Sequence, residues 1–178
     1  VLPGMELTTS EEIHVLFLFA ALGRALSFDA YVYEHLLPVR NRPEIFGTQL
    51  IVDENDKVSG SLDKLLISAT DIPFDETGKL ADSFGGICFP AHLDKSSTSL
   101  ISNLGAIPPD STFSCAELKD MKNLHRLKRK HHYLENCRIL HSSDAHYHWA
   151  IAETNLQIYA RSKSPSDILE ALGRGVLR

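Results

Sequence analysis

At 178 residues, with 43% hydrophobic and 23% charged side chains, the chain has the size and balance of one globular domain with a real core. A formal charge of −5 argues against wholesale nucleic-acid binding and leaves only local basic patches open. No apolar run reaches transmembrane length and the start lacks the basic-then-apolar pattern of a secretory signal, so no membrane is expected and a cytoplasmic location is. The three cysteines, Cys88, Cys115 and Cys137, lie far apart without a CxxC spacing, which fits reduced thiols.

Taken in chain order, "MELTT" (5–9) and "IHVLFLFA" (13–20) read as two strands joined by the short polar connection Ser10-Glu11-Glu12. Residues 22 to about 39 turn helical and close near Pro38 and "NRP" (41–43). "QLIVDENDKVSGSL" is a hairpin excursion, near residues 48–62, on a single domain spanning 1–178. Asp71 or Asp75 is placed to cap a helix that stops at Gly85-Gly86. "ICFPAH" (87–92) is a short strand apolar enough to be buried on both faces. A short helix (99–105), a strand (113–118), a basic helix (121–136) and the strand "RIL" follow. The tail reads as a strand at 156–161 and a helix from Ser166. Alternation of strand and helix after residue 70 predicts an α/β domain with parallel strands, whose chemistry collects at the strands' carboxyl ends.

Several polar residues fall at such ends. "ICFPAH" delivers His92, and "RILHSSDAH" delivers Asp144 and His146. If the strand continues that far, residues two apart project to one side. That pair fits a metal, a shared proton or an ordinary polar strand end. Glu6 lies on the first strand and His14 at the start of the second, and a hairpin between them brings both to one rim. Imidazole and carboxylate together suit Zn, Mn or Fe better than Mg or Ca. Such an ion lowers the pKa of bound water to about 7.

"PGMELTTSEEIHVL", "EIFGTQLIVDENDKV", "GGICFPAHLDKSSTSLISNLGAIPPD" and "ILHSSDAHY" together resemble the PHP family (polymerase and histidinol phosphatase) of metal-dependent phosphoesterases, from about residue 1 to 150 and in the family's order. The resemblance implies an irregular seven-stranded β/α barrel whose rim binds up to three divalent metals, Zn, Mn or Fe, and an enzyme that hydrolyses phosphate esters. It implies that Glu6 bridges two metals and that His14 and His92 complete the second metal's ligands. Asp144 then belongs to the first metal and His146 to the third. The expected partner is a small phosphorylated substrate, with nucleic acid disfavoured by the net charge. Two departures stand out. Lys95-Ser96-Ser97-Thr98-Ser99 stands where the family often has Arg-Pro-Ser-x-Ser. No His-x-His precedes Glu6, so the chain is expected to be a fragment lacking the barrel's N-terminal strands and helices, and to lack part of the catalytic set on its own.

Two other readings follow from the same residues: a non-catalytic metal-binding or structural module of the PHP type, and a nucleic-acid-processing domain associated with a polymerase. The run Lys119, Lys122, Arg126, Lys128, Arg129 and Lys130 reads best as a solvated helix face, because no aromatics interleave with its charges. His141 and His148 flank the Asp144 motif, where a supporting role suits them. A serine hydrolase is excluded by the absence of GxSxG, and a phosphate loop by the absence of GxGxxG or Walker patterns.

Overall fold

A computed structural model describes residues 1–151 and 158–173. Strands β1 (Gly4–Thr8) and β2 (His14–Phe19) form an antiparallel hairpin in which Thr8 lies opposite His14 and Glu6 opposite Leu16. The turn closes on itself. Glu12 takes a left-handed φ of 60° and donates its N–H to the Thr9 carbonyl, while the buried Thr9 accepts the Ile13 N–H on its hydroxyl. Strand β5 (Gly86–Pro90) joins the other side of β2, again antiparallel. The order is β1-β2-β5.

Period-two alternation divides the faces of this sheet. Val15, Phe17 and Phe19 are buried on one side, while His14, Leu16 and Leu18 are half-buried on the other. Helix α1 (Leu22–His35) covers the buried side, where Phe28 stacks on Phe17 at 4.5 Å and meets Phe19 and Phe84. Burial of one such phenylalanine contributes about 1.5–3 kcal/mol. Gly86 is required where β5 passes Phe19, since a Cβ there would fall 2.6 Å from the Phe19 ring and 2.7 Å from the Leu18 carbonyl oxygen.

The helical turn α2 (Pro43–Phe46) leads into the excursion, an antiparallel pair of β3 (Leu50–Val52) and β4 (Val58–Ser61). A 3₁₀ turn at Phe74–Glu76 runs into α3 (Thr77–Ser83). Neither Asp71 nor Asp75 caps it: Asp71 pairs with His35 at 2.7 Å. Helix α4 (Leu100–Leu104) is capped by Ser99, whose hydroxyl accepts the Ser102 N–H. Strands β6 (Cys115–Leu118) and β7 (Arg138–His141) pair in parallel. Their crossover is not one long helix but α5 (Leu124–Lys130) between 3₁₀ turns at Met121–Asn123 and His132–Glu135. Helix α6 (Pro165–Gly173) closes the described chain.

The expected seven-stranded β/α barrel is corrected by this arrangement. Among the described residues there are three small sheets and no closed barrel. The reason is local. The 9–13 connection is too short for the crossover of about a dozen residues or more that parallel pairing needs and returns the chain antiparallel. Strand β5 also lies antiparallel to β2, and among the described residues only β6 and β7 pair in parallel. The β5 and β6 segments are linked by single hydrogen bonds, such as Leu93 N–H to the Glu117 carbonyl at 2.9 Å, rather than by a ladder. Of the strand expected at 156–161, residues 156–157 lie outside the described residues and 158–161 are not in a strand. No described helix is long and apolar enough to cross a membrane.

Candidate metal centre

The hairpin register places Glu6 and His14 on the same, less buried face of the sheet, two positions apart along the rim. His92 arrives from the end of β5. The Ala91 N–H donates to the His14 carbonyl at 3.0 Å, tying the two segments together just before His92. His92 itself is buried and holds a φ of 28°, a left-handed conformation that side-chain-bearing residues rarely adopt. Its N–H donates to Glu117 Oε2 at 3.0 Å. Glu117, buried in β6, accepts the Ser142 hydroxyl on its other oxygen and so fastens the turn after β5 to the loop after β7.

Three ligand atoms converge there. Glu6 Oε1 lies 3.1 Å from His14 Nδ1 and 3.3 Å from His92 Nε2, and the two nitrogens are 3.2 Å apart. Four ligands about 2.0–2.1 Å from a tetrahedral ion stand about 3.3 Å from one another, so the three atoms have the dimensions of one face of such a tetrahedron. A proton on one nitrogen can answer only part of this convergence of lone pairs, whereas a cation answers all three. The donor set of two imidazoles and a carboxylate suits a divalent ion of the Zn, Mn or Fe kind. Hydrogen bonds from His14 and then His92 hold the Glu6 carboxyl well below the usual carboxylate range, against the effect of burial. The far nitrogen of His92, Nδ1, is buried and has no hydrogen-bond partner among the described residues.

Asp144 and His146 are arranged differently. Strand β7 ends at His141, and Asp144 has a φ of 47°, so no strand carries the two side chains side by side. They meet across the bend instead, His146 Nε2 lying 3.5 Å from Asp144 Oδ1, with His146 largely exposed. The other Asp144 oxygen accepts Lys95 Nζ at 2.8 Å, with Lys119 Nζ at 3.7 Å. Burial raises the Asp144 carboxyl, but the Lys95 hydrogen bond and charge, together with the charge of His92, hold the group below its ordinary value. Lys95 stands in the turn after His92, its N–H donating to the His92 carbonyl at 2.9 Å. The structure thus groups Glu6, His14 and His92, and keeps Asp144 and His146 as a second pair engaged by lysine.

Two acids escaped the sequence reading. Glu117 looks like a stray polar residue in the apolar "FSCAEL". Asp94 accepts the Lys119 and Asp120 N–H groups at 2.8 and 2.9 Å and the Asn123 amide at 2.9 Å, fixing the segment that carries Lys119. An acid in an apolar run was the only available signal for the first. A cavity of about 550 Å³ opens on the Val15 face, lined by Phe74, Thr77, Cys88 and Phe113, and holds none of these residues. Its lining mixes buried apolar side chains with the exposed Asp75, Lys79, Asp82 and Asp110, and it contains no convergence of donors like that at Glu6.

No family model and no curated protein matches the chain. Among solved structures, it is similar to the novel lesion-specific endonuclease PfuEndoQ from Pyrococcus furiosus, with a TM-score of 0.59 at 16% identity over 98% of this chain. At that identity the likeness is one of fold and supports a PHP-like one at most. The chain spans 40% of the length of that neighbour. An endonuclease among the fold neighbours also corrects the expectation that nucleic acid is disfavoured as a partner. Net charge averages over the whole surface and does not describe the field at one rim, where Lys95 and Lys119 stand.

Proposed function

We propose that the chain carries the metal centre of a phosphoester hydrolase of the PHP type, acting on phosphodiesters of nucleic acid. The observation that carries this reading is the triangle of Glu6 Oε1, His14 Nδ1 and His92 Nε2, with edges of 3.1–3.3 Å. The resemblance of the "AHLD" and "SSDAH" segments to that family, and the endonuclease among the fold neighbours, support it.

In this reading Glu6, His14 and His92 hold one divalent ion, and Asp144 and His146 border an adjoining position. A divalent ion there supplies charge neutralisation at the phosphoryl oxygens and activation of water. The chain's own residues do the rest. Glu6 stays ionised at neutral pH and keeps both imidazoles directed at one point. Glu117 fixes the backbone that presents His92. Lys95 helps to keep Asp144 ionised, and Lys95 and Lys119 offer ammonium groups to a phosphate oxygen, which suits a charged ester.

Metal content measured after reconstitution with Zn, Mn or Fe(II) tests the assignment. About one ion per chain is expected, near zero in Glu6→Gln and His92→Ala, and unchanged in Asp144→Asn. Hydrolysis of an oligonucleotide and of a chromogenic phosphodiester is followed on the same samples. A wild-type chain that retains none of the three metals sinks the reading. The Lys95–Asp144 ion pair favours a second reading, a metal-holding module without turnover. Stoichiometric metal with no cleavage of either substrate is its signature.

A further inference from the structure

Three residues beyond Asp144 the chain does something the metal centre does not explain. Tyr147 and Trp149 stack face to face, ring centroids 4.7 Å apart and planes within 8°. Both are exposed, Tyr147 at 62% and Trp149 at 82%, on the bend and 3₁₀ turn (His148–Ala150) that follow the loop holding Asp144 and His146. Large rings exposed to this extent forgo the stabilisation that burial would bring. Parallel stacking presets an outer flat face for a third ring. The same loop is tied at Asp144 to Lys95 and Lys119, and Lys119 heads the basic stretch running through α5. Flat rings on a loop anchored to cations complement a flat base followed by a phosphate.

We propose that Tyr147 and Trp149 form a stacking platform for an unpaired base of a single-stranded nucleic acid, whose adjoining phosphate is drawn to Lys95 and Lys119. This rests on the reading of the neighbouring cluster as a phosphodiester centre and names its substrate as a strand with a base free of its own stack. Stacking on aromatic side chains tolerates any base, because every base has a flat face. The platform therefore confers strandedness rather than sequence. The aromatic partners that the basic helix lacks are supplied from a separate loop.

The chain has a single tryptophan, Trp149, so its intrinsic emission reports on this one spot. The 178-residue chain is titrated in EDTA, where no cleavage occurs, with a short oligo-dT, an abasic strand of equal length and thymidine monophosphate. The expected result is quenching by oligo-dT at concentrations where the abasic strand and the mononucleotide leave the emission unchanged. Anisotropy of a labelled oligo-dT then gives affinities for variants whose fold is checked by circular dichroism. Tyr147→Ala and Trp149→Ala bind about tenfold to a hundredfold more weakly, and Trp149→Phe binds close to wild type. Equal quenching by the abasic strand overturns the proposal in favour of a purely electrostatic contact. No quenching, together with Trp149-dependent self-association on size exclusion, overturns it in favour of a protein interface. Metal content and chromogenic-ester hydrolysis are independent of this readout. A chain that holds metal without quenching refutes the platform alone, and a chain that quenches without holding metal refutes the centre alone.

Discussion

Replacing Glu117 by alanine tests how the sheet presents His92. The Glu117 carboxylate accepts the His92 N–H at 3.0 Å and the Ser142 hydroxyl, from a residue only 5% exposed. His92 has a φ of 28°, in a region that costs about 1–3 kcal/mol and persists only where the surroundings impose it. Alanine leaves a buried N–H without its acceptor, at about 1–3 kcal/mol. Relief of a desolvated carboxylate offsets part of the cavity that remains. The net expectation is a stability loss of about 1–3 kcal/mol in urea denaturation of the metal-free chain. A second effect is more diagnostic. With its backbone released, His92 relaxes toward ordinary φ and Nε2 leaves the triangle, so Zn affinity by calorimetry falls about 10- to 100-fold. Glu117→Gln keeps an acceptor oxygen at the same place and loses less of both. If Glu117→Ala is destabilised yet binds Zn within about threefold of wild type, the positioning argument is wrong. Unchanged stability would refute the hydrogen-bond assignment as well.

Two further outcomes follow from packing. Gly86→Ala forces a Cβ against the Phe19 ring and the Leu18 carbonyl oxygen, and a loss of about 1–3 kcal/mol is expected from overpacking; an unmoved urea midpoint contradicts the β2–β5 register. Burial pushes the Cys88 and Cys115 thiols up to about 12 and Cys137 to about 11, from an ordinary value of 9.0. As pH rises past about 9 the unfolded chain ionises its thiols first, so their contribution, fully present below that pH, is lost as pH climbs toward 11–12. Native protein at pH 8 is accordingly expected to resist a thiol reagent that labels it promptly in denaturant, and equal labelling rates in the two states would refute the burial.

How much of the site was legible depends on how far apart in sequence its determinants lie. Glu6 and His14 could be paired from the letters because a short polar connection between two apolar runs leaves little choice but a hairpin, and a hairpin sets register. His92 could be placed at a strand end because "ICFPAH" changes character at its last letter. The neighbour of β5 could not. Which strand lies beside β2 is decided by Phe19 packing over Gly86, a contact across more than sixty residues, on a sheet that α1 closes at Phe17. Alternation of strands and helices after residue 70 therefore suggested parallel order for β5, which runs antiparallel to β2, while the expected β1–β2 hairpin is present. The backbone that carries Asp144 was illegible for a local reason. An aspartate tolerates left-handed φ, and nothing in "HSSDAH" reveals that the strand has stopped at His141. Glu117 failed because an acid within four buried residues carries no periodic mark.

The two halves of the expected ligand set differ in what neutralises them, and this difference bears on how many ions the chain holds. At Glu6 the neighbours are two imidazoles, whose ring nitrogens can turn lone pairs to a cation. At Asp144 one oxygen faces the His146 imidazole, but the other faces ammonium groups, which donate and offer no lone pair. An ion entering beside Asp144 would meet like charge at 2.8 Å from its ligand oxygen unless Lys95 first swings away. Lys95 is about one-third exposed, so moving it breaks a partly solvated pair worth at most about 1 kcal/mol. The lysine thus orders the sites without closing the second. On the proposed reading the Glu6–His14–His92 face would hold the single ion taken up on reconstitution, and a second cation would have to displace Lys95 first.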